Sequence, residues 1–219
     1  MTSFNLETIE LLPVTLEPKQ LFVLLHDAAG SAADMLALGN LLAEAFPAAA
    51  VLLVEGLVGP HADAAGASAA GLDNPDALAA RVEALAGFLR AQQSRFGIAD
   101  QSSALAGFGA GTSLALALTD AHDGLVGRLL GFCGGYQLWP TKAPALTTLH
   151  LFHGQLDAVI PVQRTEADYQ HLMSLGADAT LDLATTLGHE LHPALMEQAV
   201  TRLQTCVPLR LWKEAEAAQ

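Results

Sequence analysis

The chain is predicted to fold as one α/β domain, a doubly wound, mostly parallel sheet of about seven strands with helices on both faces. Three observations carry this prediction. Short, nearly continuous apolar runs recur along the sequence, as strands covered on both faces require. Segments with apolar residues at helical spacing alternate with those runs, the pattern of a parallel sheet built from βαβ units. A chain of 219 residues with 52% hydrophobic content is long enough for one substantial core.

The first strand candidate, residues 8–14, contains Pro13, which confines it to a sheet edge. Residues 20–26 and 50–54 are continuous apolar strands. Between them, Ser31 and Asp34 have the spacing of a capping box ahead of Met35, Leu38, Leu42 and Ala45 on one helical face. Asn74-Pro75 supplies an N-cap and a first-turn proline before Leu78, Val82, Leu85 and Leu89. Residues 103–108 form the next strand, followed by the helix-capable stretch 112–120. Further strands are expected over 129–132, 147–153 and 179–184; Pro161 opens a helix closed near Gly176, and Pro193 opens another stopped by Pro208. The domain is assigned to residues 1–212, and the small, charged tail 213–219 is expected to fray.

Composition narrows the function. Ten basic residues against 23 acidic ones give a net charge of -13, which repels nucleic acid and anionic membrane surfaces. Every apolar run is broken well before the length of a membrane span. Residues 1–10 hold Asn5, Glu7 and Glu10 without a basic cluster, unlike a secretory leader, and the two cysteines form neither a disulfide framework nor a zinc pattern. A cytoplasmic protein is expected; oligomeric state is not legible.

The most specific motif is Gly107-Phe108-Gly109-Ala110-Gly111, between a strand and a helix. It has the form of a G-x-S-x-G nucleophile elbow with glycine at its centre. A dinucleotide loop would need a third glycine at Thr112, and a phosphate-binding P-loop would need a following Gly-Lys-Ser/Thr, so neither fits. Downstream, Asp157 lies just past a strand end and His189 follows the last strand, so position 109, Asp157 and His189 stand in the chain order nucleophile, acid, base. His150-x-x-His153 and His189-x-x-His192 lack the i, i+4 histidines of a helical zinc motif; His150 and His153, three apart on a strand candidate, face opposite sides, and His192 fits the start of a helix before Pro193. No metal or other cofactor is expected.

The string from His153-Gly154 through Asp157 to Ile160-Pro161, with Gly188-His189 and the elbow at 107–111, resembles the phospholipase/carboxylesterase branch of the α/β hydrolases over residues 20–206. That resemblance implies the α/β-hydrolase fold, a small-molecule ester or acyl ligand, and a catalytic set at position 109, Asp157 and His189. It further implies an oxyanion hole from the amides of Ala28 and Ala110, beside an H-G-x-G loop that survives only in part at His26-Asp27-Ala28-Ala29-Gly30.

Two departures from the family pattern carry functional information. Its serine falls on Gly109, and loss of a serine nucleophile lowers kcat by about a millionfold in a comparable enzyme. Its loop glycine falls on Asp27, whose carboxylate would oppose negative charge on a substrate oxygen. These read as two separate losses, natural decay more than a single laboratory exchange. Thr112 and Ser113 belong to the following helix and Cys133 reads as a small buried hydrophobe, so none is expected to replace the serine. The loop 56–73, with Leu57, Val58, His61 and Leu72 as its bulky members, is expected to be mobile around a poorly defined acyl pocket. The resulting expectation is a protein without serine esterase activity that binds a ligand or a protein. The alternative is an active carboxylic ester hydrolase, with its serine engineered away or with water activated by the Asp157–His189 pair.

Overall fold

A computed structural model describes residues 4, 6–59 and 72–217. The expected loop 56–73 is therefore described at its two ends only, and His61 lies outside the described residues. The seven strands are β1 (Glu7–Leu11), β2 (Gln20–Leu25), β3 (Ala49–Glu55), β4 (Ser103–Phe108), β5 (Arg128–Phe132), β6 (Thr148–Gly154) and β7 (Ala179–Ala184). They form one sheet in the order β1-β3-β2-β4-β5-β6-β7, and every pairing is parallel except β1 with β3. The expected doubly wound architecture is present. β1 stops two residues before Pro13, which has no N–H to give to β3.

The helices are α1 (Leu36–Ala45), α2 (Pro75–Phe96), α3 (Ala110–Ala121), α4 (Val162–Ser174), α5 (Pro193–Thr205) and α6 (Leu209–Ala217). Their starts follow the local chemistry. The Ser31–Asp34 capping box is formed, but it opens a short 3-10 turn that leads into α1. The side chain of Asn74 accepts from the amides of Asp76 and Ala77 and so caps α2. Residues 209–217, part of them read as a fraying tail, form α6 directly after Pro208. No helix of the described residues is long and apolar enough to cross a membrane.

The sheet has apolar cores on both faces. One holds Leu21, Val23, Leu25, Leu52, Leu105, Leu114 and Leu149 with α2 and α3; the other holds Phe22, Leu24, Leu53, Phe132 and Phe152 with α1 and α5. The central strands β2 to β6 are thus covered twice, which explains their unbroken apolar sequences. From β2 the chain winds outward through β3 to β1's side, and from β4 it winds the other way, so the C-terminal ends of β2 and β4 form the topological switch point where open α/β sheets bind ligands.

One half-buried carboxyl on α3 gives a test of this packing. Burial raises the Asp120 carboxyl from 3.8 to about 7, and its Oδ1 has no hydrogen-bond partner. Because the folded value lies above the unfolded one, the unfolded chain gives up this proton first, and stability falls as pH rises from 3.8 towards 7. An Asp120→Asn variant is expected to melt about 5 °C above the natural chain at pH 8, with the difference shrinking towards pH 4. Thermal unfolding across that range checks it.

Candidate active site at the switch point

Four loops after parallel strands converge here: Asp27 follows β2, Gly109 follows β4, Asp157 follows β6 and His189 follows β7. The β4–α3 turn brings its own constraints. Gly109 has φ 54° and ψ -116°, in the left-handed region that side-chain-bearing residues rarely adopt. Its amide donates to the Phe132 carbonyl at 2.9 Å, tying the turn to β5. Gly111 lies so close to the carbonyls of Leu25 and His26 that any Cβ would overlap them. This approach sets the first turn of α3 directly against the loop that carries Asp27.

The Asp27 side chain lies over that turn. Its Oδ1 accepts from the Ala110 amide at 2.7 Å, the short separation of a charge-assisted hydrogen bond. The space a side chain at position 109 would occupy is filled by the same carboxylate: a Cβ built there overlaps Asp27 Oδ1. Burial disfavours the charged Asp27, but His189 and the amides of Ala110 and Ala28 outweigh it and hold the carboxyl below its ordinary value. The two amides expected to form an oxyanion hole are therefore turned on an anion of the protein itself. The departures at 27 and 109, expected as separate losses, meet at one point in space.

Asp157 and His189 are paired. His189 Nδ1 lies 2.8 Å from Asp157 Oδ2, and Asp157 Oδ1 accepts from the amides of Val159 and Ile160 at 2.8 Å each. Burial works against this carboxylate, yet these amides and His189 keep its pKa lowered. With Nδ1 donating to Asp157, His189 directs Nε2 towards Asp27 Oδ2 at 3.8 Å, beyond hydrogen-bond reach. The imidazole rests on Phe108, ring centroids 4.8 Å apart. Burial opposes its charged form, but Asp27 and Asp157 together raise its pKa above the ordinary value. The Asp27 side chain is 25% exposed and that of His189 13%, so the centre is reachable from solvent.

The other residues singled out in the sequence hold the scaffold. His26 is buried, with Nδ1 2.7 Å from the Asp27 carbonyl and Nε2 3.1 Å from Glu55, and braces the loop instead of facing the centre. Thr112 donates to the carbonyls of Gly107 and Phe132 and Ser113 to that of Gly135, so both hydroxyls are committed to backbone. Cys133 is buried, and burial raises its thiol to about 11, far from a thiolate at neutral pH. Its Sγ lies near His153 and Asp157, the one group of potential metal ligands among the described residues. Asp157 is saturated by its own partners there, and His153 Nε2 reaches the Ile160 carbonyl at 2.9 Å. His150 bonds Thr180 on β7 while His153 bonds Thr165 on α4. Phe108 as the imidazole's platform and Asp27 as the occupant of the Ala110 amide were missed in the sequence. An aspartate at a loop glycine, paired with a missing side chain at the elbow, is the signal that could have revealed the second.

Comparison with known proteins agrees with this architecture. The profile of the Phospholipase/Carboxylesterase family matches residues 35–207. Esterase YpfH of Escherichia coli (strain K12) is 33% identical over 204 residues, covering 90% of this chain and 87% of that protein. Among solved structures, esterase PE8 has a TM-score of 0.76 at 21% identity, covering 92% of this chain and 99% of that one. The Bacillus cereus carboxylesterase also has a TM-score of 0.76, at 16% identity, with 92% and 95% covered. At these identities the structural likeness is one of fold, the α/β-hydrolase fold.

The ion cluster predicts a titration. Replacing Asp27 by Asn removes one of the two anions that raise His189, so the imidazole of an Asp27→Asn variant is expected to titrate at lower pH than that of the unsubstituted chain, read from its proton NMR signals against pH. The linkage has two limbs. The raised His189 stabilises the fold fully below 6.5, and that contribution is lost as pH rises through its folded value. The depressed Asp27 contributes above 3.8 and is lost as pH falls through its folded value. The stability advantage over Asp27→Asn should therefore peak between 3.8 and 6.5 and decline on both sides.

Proposed function

The chain belongs to the phospholipase/carboxylesterase family, and on that premise we propose that it lacks serine esterase activity and that its centre serves a bound small molecule in place of acyl transfer. One observation carries this reading: the elbow apex is Gly109, with no atom to attack a carbonyl, and the space beside it holds the Asp27 carboxylate on the Ala110 amide. Both requirements of ester cleavage through an acyl-enzyme are affected. The nucleophile is absent, and an amide suited to a tetrahedral oxyanion already faces an anion; removal of one such donor alone costs about a hundredfold or more in kcat.

A second reading has His189 activating water directly on an ester, and the intact Asp157–His189 hydrogen bond favours it. It meets the same obstacle. The oxyanion that water attack creates would have to displace Asp27 from Ala110, against like-charge repulsion.

The geometry separates one loss from two. A serine at 109 must expel the Asp27 carboxylate, which forfeits about 2 kcal/mol of charge-assisted hydrogen bonding. The chain as it stands is expected neither to turn over p-nitrophenyl acetate nor to label with a fluorophosphonate, and Gly109→Ser alone is expected to remain nearly as inert. Adding Asp27→Gly to Gly109→Ser should restore labelling and raise turnover by at least about a hundredfold over the single variant. Turnover with burst kinetics by the natural chain would overturn the proposal.

A further inference from the structure

We propose that Asp27 is itself a nucleophile and that the small molecule this centre takes is an alkyl electrophile, with short haloalkanes as the substrate class, cleaved through an alkyl ester on the Asp27 carboxylate. The inference deepens the preceding reading and rests on it: with no serine acting at 109, the reactive oxygen above the elbow belongs to Asp27.

The placement of the two carboxylate oxygens argues for this. Oδ1 is held by the Ala110 amide at 2.7 Å. Oδ2 is turned towards the partnerless Nε2 of His189 at 3.8 Å, and the side chain keeps 25% exposure. One oxygen is thus anchored in an anion-stabilising position, while the other is turned towards a buried imidazole nitrogen that has no hydrogen-bond partner. Ala28 and Ala110, whose amides act on the carboxylate, both pack against the apolar cluster containing Leu57, Val58 and Leu114, and Phe108 lies beneath His189. The carboxylate and the imidazole therefore rest on an apolar floor.

The chemistry selects the class of electrophile. On an ester carbonyl a carboxylate is a poor nucleophile, because the adduct expels the weaker base, the carboxylate itself, before the alkoxide. On a saturated carbon bearing a halide the order is reversed. An Oδ2 lone pair forms the new C–O bond while the carbon–halogen bond breaks, and the halide departs with the bonding pair. The product is an alkyl ester of Asp27 and a halide ion.

The remaining residues are placed for the second half. Asp157 holds His189 with Nδ1–H directed at it, leaving Nε2 to take a proton from water. The resulting hydroxide attacks Cγ of the ester, and the negative charge that develops falls on Oδ1, where the Ala110 N–H already points. Collapse breaks the bond between Cγ and Oδ2; the alkoxide leaves with Oδ2 and takes the proton from His189. One water and one haloalkane give one alcohol, one proton and one halide, and Asp27 is regenerated with an oxygen from water. Electrostatics supports the sequence of events. Alkylation neutralises one of the two anions that raise His189, so the imidazole becomes the free base more readily once an ester is there to hydrolyse.

The test uses the whole chain and 1-bromobutane. In a His189→Gln variant with unchanged thermal unfolding, alkylation proceeds and hydrolysis stalls, so a butyl ester is expected to accumulate on Asp27, located by peptide mass mapping. The natural chain is expected to release bromide, and a single turnover in oxygen-18 water should label Asp27 and leave the first butanol unlabelled. Asp27→Asn should lower bromide release by about a hundredfold or more. Absence of both the Asp27 adduct and bromide release overturns the proposal; so does an adduct confined to Cys206, or bromide release unchanged in Asp27→Asn. Parallel assay on p-nitrophenyl acetate keeps the two readings apart, since ester turnover by the natural chain sinks the loss of serine esterase activity whether or not Asp27 is alkylated.

Discussion

A short hydrogen bond from the Ala110 amide to the Asp27 carboxylate organises the centre of this molecule. It forms because three backbone features coincide. β2 and β4 are parallel neighbours, with Leu25 opposite Gly107, so their C-terminal loops start side by side. Gly111 lets the first turn of α3 press against the end of β2 without a Cβ in between. Gly109, with its left-handed φ, leaves open the volume that the carboxylate fills. Remove any one and Asp27 has neither its donor nor its space.

Charge balance follows from that contact. Asp27 is the second anion around His189, with Asp157 on the other ring nitrogen. Two carboxylates flanking one imidazole favour its protonated form even against the cost of partial burial. An ordinary esterase centre has one acid behind the histidine and a neutral hydroxyl before it. This chain has an acid on each side, so its pH behaviour and its choice of electrophile both depend on what becomes of the Asp27 charge.

The supporting shell explains why the pair stays in register. Asp157 is gripped by two amides of its own turn, and His189 lies on Phe108, the last residue of β4. His26 and Glu55 tie the Asp27 loop to the end of β3, where Glu55 also accepts from the Ala32 amide at 2.6 Å. The site is therefore built on strand ends and their immediate turns, which suits the placement of reactive groups.

Much of the fold was legible in sequence because it depends on local pattern. Doubly covered strands must be apolar throughout, so β2 to β6 could be located from their unbroken apolar runs; Asn74-Pro75 and Ser31 with Asp34 announced helix starts through short-range hydrogen bonds. α6 was not read in full, since its solvent-facing, charged residues carry no buried stripe strong enough to separate a helix from a tail. At the centre, chain order brought position 109, Asp157 and His189 under suspicion, and Gly109 announced an absent side chain. Where Asp27 would direct its carboxylate was a different kind of question. Its partners are 83 residues away on Ala110 and still further along at His189, and contact over such separations is created by strand order and helix approach. Periodicity and spacing describe a residue's neighbours along the chain; only the folded sheet could turn two departures, each legible as damage, into one filled and charged position.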